Sequence, residues 1–355
     1  MEAQNNQEHK RRVRYKGTHP RNFNEKYKEA NPEKYADTIE KVIKKGSTPA
    51  GMHLSIMVNE ILDVLKIKPG EKGLDATLGY GGHTKAMLQC LAGQGKIVAL
   101  DVDPIEIVKT KKRLNDQGFG DDILSIIQTN FENIDIVSKQ EGKFDFILAD
   151  LGVSSMQIDN PDRGFSYKTN APLDLRLDPM HGESAAERLN SITRDEFVGM
   201  MIQNSDEPYA EEIASAVFNR KKKGNPVKTT IDLKEAIEEA INKLPKSVLS
   251  KDEKSVVIKK SCARVFQALR IDVNCEYEVL YNFLEKLPDV LNEGARVAIL
   301  TFHSGEDRLA KKSFKQLYKA GVYKEISDEV IRPSKEECFR NPRAASTKLR
   351  WAVKA

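Results

Sequence analysis

Apolar positions along this chain fall into two alternating rhythms that begin near residue 53. Ile56, Val58, Ile61, Leu62 and Leu65 have the mixed spacing of a helix, and Pro69-Gly70 ends it. Residues 73–76 predict a short strand and residues 83–91 a helix. Lys96-Ile97-Val98-Ala99-Leu100-Asp101 is a continuous apolar run that closes on a carboxylate. Pro104 suits the first position of a helix reaching Asn115, because its missing N–H is one the helix cannot use. Further strands fit residues 123–127 and 144–149. Continuous apolar strands alternating with helices predict a parallel sheet covered on both faces.

After Asp150 the rhythm changes. Between about 160 and 258 the pattern is helical, as at 209–220 and 233–244, with polar turns and no strand signal. Residues 263–287 read as one long helix, 296–302 as a buried strand and 347–353 as a final strand. The economical reading is an α/β sheet domain over 47–158 and 259–355, interrupted by a helical insertion over 159–258. Insertions of this kind are tolerated where both ends lie at the surface.

Residues 1–46 stand apart as a polar, basic extension. They carry twelve Lys/Arg against seven Asp/Glu, so the net charge of +4 resides there and the rest of the chain is near neutral. Arg11, Arg12 and Arg14 are its densest part. Such an arm attracts phosphate backbones without choosing a sequence. No run of about 18 apolar residues predicts a membrane span. The four cysteines, Cys90, Cys262, Cys275 and Cys338, are scattered without a C-x-x-C pair. That argues against a zinc site and fits a reducing, cytoplasmic setting.

Candidate chemistry begins between the first strand and the helix after it. Asp75-Ala76-Thr77-Leu78-Gly79-Tyr80-Gly81-Gly82-His83 is a glycine-rich turn, and Asp101 ends the next strand 22 residues beyond Gly79. That is about the interval at which a carboxylate meets a ribose diol. A dinucleotide and an adenosylmethionine both satisfy it. Asp75 beside the loop suits a zwitterionic ligand better than a pyrophosphate, which wants bare amide donors.

A second cluster follows the strand that closes on Asp150. Ligands collect at the carboxyl ends of parallel strands, so Asp150, Ser154, Ser155 and Gln157 should border the ligand. Farther on, Arg163, Phe165, Asp174 and Arg176 bring charge and an aromatic into an expected loop, where they could stack a base and hold phosphate. Phe302-His303-Ser304-Gly305-Glu306-Asp307-Arg308 follows a strand and opens a helix that Ser304 can cap. No G-x-S-x-G elbow accompanies that Ser-His pair, so hydrolysis is a poor reading. Lys221-Lys222-Lys223 fits either an RNA grip or a solvated helix end.

Taken together, Asp75 to His83, Asp101-Val102-Asp103-Pro104, Asn130-Phe131, Asp150 to Gln157, Arg163-Gly164-Phe165-Ser166 and Pro172 to Arg176 resemble the MraW family, the ribosomal RNA small subunit methyltransferases H. Phe266 to Asn274, Phe302-His303-Ser304 and Asn341-Pro342-Arg343-Ala344 continue the likeness in order to the C-terminal part. The resemblance implies a class I, Rossmann-like methyltransferase fold with an inserted helical domain. It also implies S-adenosylmethionine as cofactor and transfer to the exocyclic N4 of a cytidine in the decoding centre of 16S rRNA. By motif, the cofactor residues would be Gly81, Gly82, His83, Asp101, Phe131, Asp150 and Gln157. Thr301 and Gly305 stand where the family has Ser and Leu, Ala345 replaces an Arg, and the arm exceeds the usual short start. These departures fit a divergent paralogue.

The expected partner is 16S rRNA or the small ribosomal subunit, with no membrane and no metal; a homodimer stays open. A catalytically silent RNA-binding or assembly factor could keep the same fold. Positioning dominates the expected reaction, because the sulfonium is an activated methyl donor. The cytosine amine is a poor nucleophile, so acceptors on its N–H bonds would help its lone pair localise. Asp150, Ser154 and Ser155 are the residues expected nearest that amine, with His303 a candidate base.

Overall fold

A computed structural model describes residues 55–245 and 247–355. Arg11, Arg12 and Arg14 lie outside the described residues, as does the side chain of Ser155.

The described chain is built on a seven-stranded sheet in the order β3-β2-β1-β4-β5-β7-β6. Its strands are β1 (Lys72–Asp75), β2 (Lys96–Asp101), β3 (Leu124–Gln128), β4 (Phe144–Asp150), β5 (Leu291–Thr301), β6 (Tyr323–Ile326) and β7 (Lys348–Lys354). The first five in spatial order pair in parallel, and β7 runs antiparallel between β5 and β6. Strand order reverses between β1 and β4, which opens a crevice beyond their carboxyl ends.

Side chains alternate across this sheet because strand periodicity is two. Leu74, Val98, Leu100, Ile147 and Ile299 face one way and pack on α4 (Ile134–Glu141), α11 (Glu276–Val290) and α12 (Ser304–Lys319). Ile97, Ala99, Phe146, Leu148 and Leu300 face the other way, toward α1 (Val58–Leu65) and α2 (Gly82–Leu91). The parallel α/β class expected from the apolar runs is therefore present. After β2 comes α3 (Pro104–Asp116), which starts at the proline as its sequence predicts.

A second apolar core belongs to helices alone. Between β4 and β5 the chain forms α5 (Ser155–Asp159), α6 (Ala185–Ser191), α7 (Arg194–Ser205), α8 (Ala210–Lys222), α9 (Thr230–Lys243) and α10 (Lys251–Val273). Phe197, Ile213, Leu233, Ile237, Val265 and Leu269 meet at their centre. Position 258, the expected end of the insertion, lies inside α10, whose Cys262 to Leu269 still serve this core. The expected long helix over 263–287 is two helices. It breaks at Asn274-Cys275, where Cys275 takes φ +49°. Asn274 accepts from the Leu177 amide and donates to the carbonyls of Leu175 and Arg270. The break therefore fastens the loop at 175–177. β6 is the one strand the apolar pattern missed: it is four residues long at the sheet edge, with only Tyr323 fully buried.

Among the described residues no helix is long and apolar enough to cross a membrane.

Asn274→Ala should cost about 1–3 kcal/mol, because it strands the Leu177 amide and the Leu175 carbonyl. The urea midpoint should fall at unchanged slope, and Asn274→Asp, which keeps the acceptor, should recover part of the loss.

Candidate cofactor and acceptor site

The glycine-rich turn joins β1 to α2 at the strand-order reversal. Asp75 is buried and turned inward, accepting from Thr84 Oγ1 at 2.6 Å and from the Thr77 amide at 3.1 Å. Burial raises its pKa against those hydrogen bonds. It holds the turn rather than presenting itself to a ligand. Gly81 takes φ +79° at the N-cap of α2, and a Cβ there would come 2.7 Å from Thr110 Cγ2. Gly82 follows as the first helical residue, packed under Ser55.

Asp101 ends β2 beside this turn. Its carboxylate accepts from the Gly79 amide at 2.7 Å and the Asp103 amide at 2.9 Å. Burial pushes its pKa up to about 6 despite both amides. Phe131 opens the turn after β3 and sets its ring edge-on to Phe283 at 5.1 Å.

Asp150 ends β4 across the crevice. Its amide donates to Thr77 Oγ1 at 2.7 Å, so the two strand ends are tied. Oδ2 lies 3.5 Å from His83 Nδ1, while Oδ1 is buried with no hydrogen-bond partner. Burial pushes Asp150 up to about 6, with His83 opposing that shift and Asp75 and Glu306 adding to it. His83 donates through Nε2 to the Ile56 carbonyl, which orients its ring toward Asp150.

Beyond Asp150, Ser154 and Gln157 form a reciprocal cap at the start of α5. Ser154 Oγ accepts from the Gln157 amide, and Gln157 Oε1 accepts from the Ser154 amide. Ser154 is thus committed to holding the loop, and Ser155 begins the helix. Gln157 Nε2 also donates to Asp103 Oδ2 at 2.9 Å.

The loop expected to meet RNA is largely internal. Arg163 is buried and donates to Asp103 Oδ2 at 2.6 Å and to the carbonyls of Arg176 and Leu177. Phe165 belongs to the helical core. Both side chains are buried, and each answers a need inside the fold. Asp174 and Arg176 form a two-pronged ion pair at 2.8 Å. Arg176 also borders a cavity of about 380 Å³ lined by Val102, Asn130, His181 and Asn274, next to the Asp101 end of β2.

At the end of β5 the expected cap by Ser304 is replaced by His303, which occupies the N-cap position of α12. Glu306 is buried, accepts from the Phe302 amide at 2.8 Å and sits 3.1 Å from His303 Nε2. Burial works against its charge, but His303, Arg270 and the Phe302 amide together hold its pKa below the usual range. Sequence reasoning missed Asp103 and Glu306 as members of the site. The Asp103-Pro104 helix start marked the first as a cap, and position i+3 from His303 was the only signal for the second.

Residues 50–355 match the profile of the MraW methylase family. The chain belongs to the MraW methylase family. It is 67% identical over 347 residues to ribosomal RNA small subunit methyltransferase H 1 of Lachnoclostridium phytofermentans, covering 98% of this chain and 93% of that one. Its identity to the protein of the same name from Agathobacter rectalis is 63%, covering 98% of each. With ribosomal RNA small subunit methyltransferase H of Clostridioides difficile it shares 36% identity over 85% of this chain and 98% of that one. The two closer matches thus extend into the basic segment before residue 47.

This MraW methylase is a methyltransferase with S-adenosylmethionine as its cofactor. The residues at the crevice fit that cation, which carries a sulfonium and an ammonium. Asp101, Asp150 and Glu306 supply carboxylates, and Asp150 Oδ1 is buried without a hydrogen-bond partner among the described residues. A pyrophosphate would meet repulsion from the same set.

Cofactor affinity should rise with pH between about 5 and 7.5 and flatten above. The reason is that Asp101 must shed a proton, near pH 6, before it can accept from both ribose hydroxyls. Calorimetric titration across that range should show the step, and Asp101→Asn should leave only the contribution of Asp150.

Proposed function

We propose that this methyltransferase transfers the methyl group of S-adenosylmethionine to the exocyclic N4 of a cytidine in small-subunit ribosomal RNA. The observation that carries this reading is Asp150, a half-buried carboxylate at the strand end, whose Oδ1 is buried and has no hydrogen-bond partner among the described residues. An amine that must be held by its N–H calls for an acceptor of this kind.

S-adenosylmethionine supplies, when bound, a methyl group already activated on a positively charged sulfur. Gly79 and Asp101 would hold the ribose end, and the Gly81-Gly82-His83 helix start would receive the amino-acid end. Gln157 keeps the loop beyond Asp150 in place through Asp103, and Phe131 offers an aromatic edge to the adenine side. Asp150 would accept an N–H of the target amine, which helps the nitrogen lone pair localise toward the activated methyl group. His303, whose Nε2 lies 3.1 Å from Glu306, is the group we read as taking the proton lost from nitrogen. The target base must leave its stack to reach these groups, at a cost of about a few kcal/mol.

RNA recognition outside the crevice rests on other residues. Arg176, which lines the cavity beside Asp101 with its guanidinium held by Asp174, is read as an RNA contact. The basic arm with Arg11, Arg12 and Arg14 adds attraction for phosphate, and the closer relatives' alignment across it favours a role in this subgroup. Lys222 and Lys223 at the end of α8 contribute similarly, while Lys221 already donates to the Asn190 carbonyl.

Labelled methyl transfer to small subunits and to naked 16S rRNA, with nucleoside analysis, should yield N4-methylcytidine. Asp150→Asn should lower kcat by about a hundredfold. N4-methylcytidine formation unchanged in that variant would remove Asp150 from the reaction. Lys221/Lys222/Lys223→Glu should weaken RNA binding and flatten its salt dependence, read by titration at several ionic strengths.

A further inference from the structure

Tyr277, in the first turn of α11, packs beside His303. Its ring centroid lies 5.8 Å from that of His303, with the planes tilted by 59°. Its hydroxyl donates to the Asn204 carbonyl in α7 at 3.4 Å, which ties the contact to the helical core. The same hydroxyl fills the space above Gly305. A Cβ at 305 would come 2.0 Å from Tyr277 Oη and 2.6 Å from Cζ. The backbone at 305 is not left-handed, so glycine is required there for room and not for conformation. Leucine, the residue that the resembling motif carries at this position, cannot coexist with Tyr277 as placed.

The neighbouring charges make the arrangement specific. Glu276 has both oxygens on the Arg270 guanidinium, at 2.7 and 2.8 Å. Glu276, His303 and Glu306 bring ligand atoms within 4.8 Å of one another, but Arg270 already neutralises the first of them. Glu306 is therefore the carboxylate left to align His303. Burial, with Glu306 and Glu276 beside it, pushes the Tyr277 phenol up to about 12 and keeps it a neutral donor.

We propose that Tyr277 is a positioning residue for His303: with Gly305 making room, its ring holds the imidazole against Glu306, and its hydroxyl anchors the ring on the Asn204 carbonyl of the helical layer. The proposal rests on His303 as the group that takes the acceptor proton.

Steady-state methyl transfer to small-subunit RNA, with kcat followed across pH and cofactor affinity measured separately, tests it. Tyr277→Ala should lower kcat between about tenfold and a hundredfold and move the acid limb of its pH profile. The KM for RNA and the cofactor Kd should stay within about twofold, which also certifies the fold. Tyr277→Phe should retain most of the rate, because it keeps the ring. Gly305→Ala should reproduce the Tyr277→Ala defect and add nothing to it when combined. In a His303→Ala background, Tyr277→Ala should cause no further loss. Losses that multiply in that background, or a Tyr277→Ala enzyme with the original kcat and pH profile, would overturn the proposal. An unchanged kcat in His303→Ala alone would sink the His303 reading itself. Any Tyr277 loss would then run by another route, and the positioning role would fall with it.

Discussion

The buried pair between Asp103 and Arg163 is the contact on which the rest of this structure depends. The side chains are 0% and 6% exposed, so both charges have left water and each must be answered inside the protein. Burying an ion costs several kcal/mol, and only close geometry with every remaining group satisfied offsets it. That condition is met on both sides. Asp103 Oδ1 accepts from the first amides of α3, and Oδ2 accepts from Gln157 as well as Arg163. The other terminal nitrogen of Arg163 donates to two carbonyls at 176–177. Those carbonyls belong to the loop that Asn274 fixes from the end of α10.

The consequence is that the cofactor edge of the sheet and the helical layer form one hydrogen-bonded network. Asp103 donates its amide to Asp101, which in turn accepts from Gly79. Arg163 and Gln157 then connect that strand end to the loop beyond Asp150 and to the wall of the cavity beside it. Across the crevice, half-buried Asp150 and buried Glu306 are carboxylates held close to His83 and His303. A site built this way presents negative charge to a cationic cofactor without relying on mobile surface groups. It also places its acceptor atoms before the substrate arrives, which is the condition for electrostatic preorganisation.

The sheet and the cofactor turn were legible in the sequence because their signals are local. Apolar runs closing on Asp101 and Asp150 fixed the strand ends, and Pro104 marked a helix start that the structure keeps. Most of the misreadings share a different cause: the residue's partner is distant in sequence. Arg163 and Phe165 looked like surface recognition because nothing nearby in the chain revealed Asp103 or the helical core. Ser154 looked like a reacting group, although the Gln three residues on was a capping-box signal. The break at Cys275 was hidden because Asn274 ends α10 for the sake of a loop about 100 residues earlier. Tyr277 left no trace in the pattern, since its role exists only where Gly305 gives it space.

The most direct test of this network is cofactor affinity together with urea unfolding in Arg163→Met, Asp103→Asn and the double variant. Arg163→Met should cost about 3–5 kcal/mol by leaving Asp103 buried and unpaired, and should weaken cofactor binding at least about tenfold. The double variant should regain part of that stability, because no uncompensated charge remains. An Arg163→Met protein with the original unfolding midpoint and cofactor affinity would contradict the central role given to this pair.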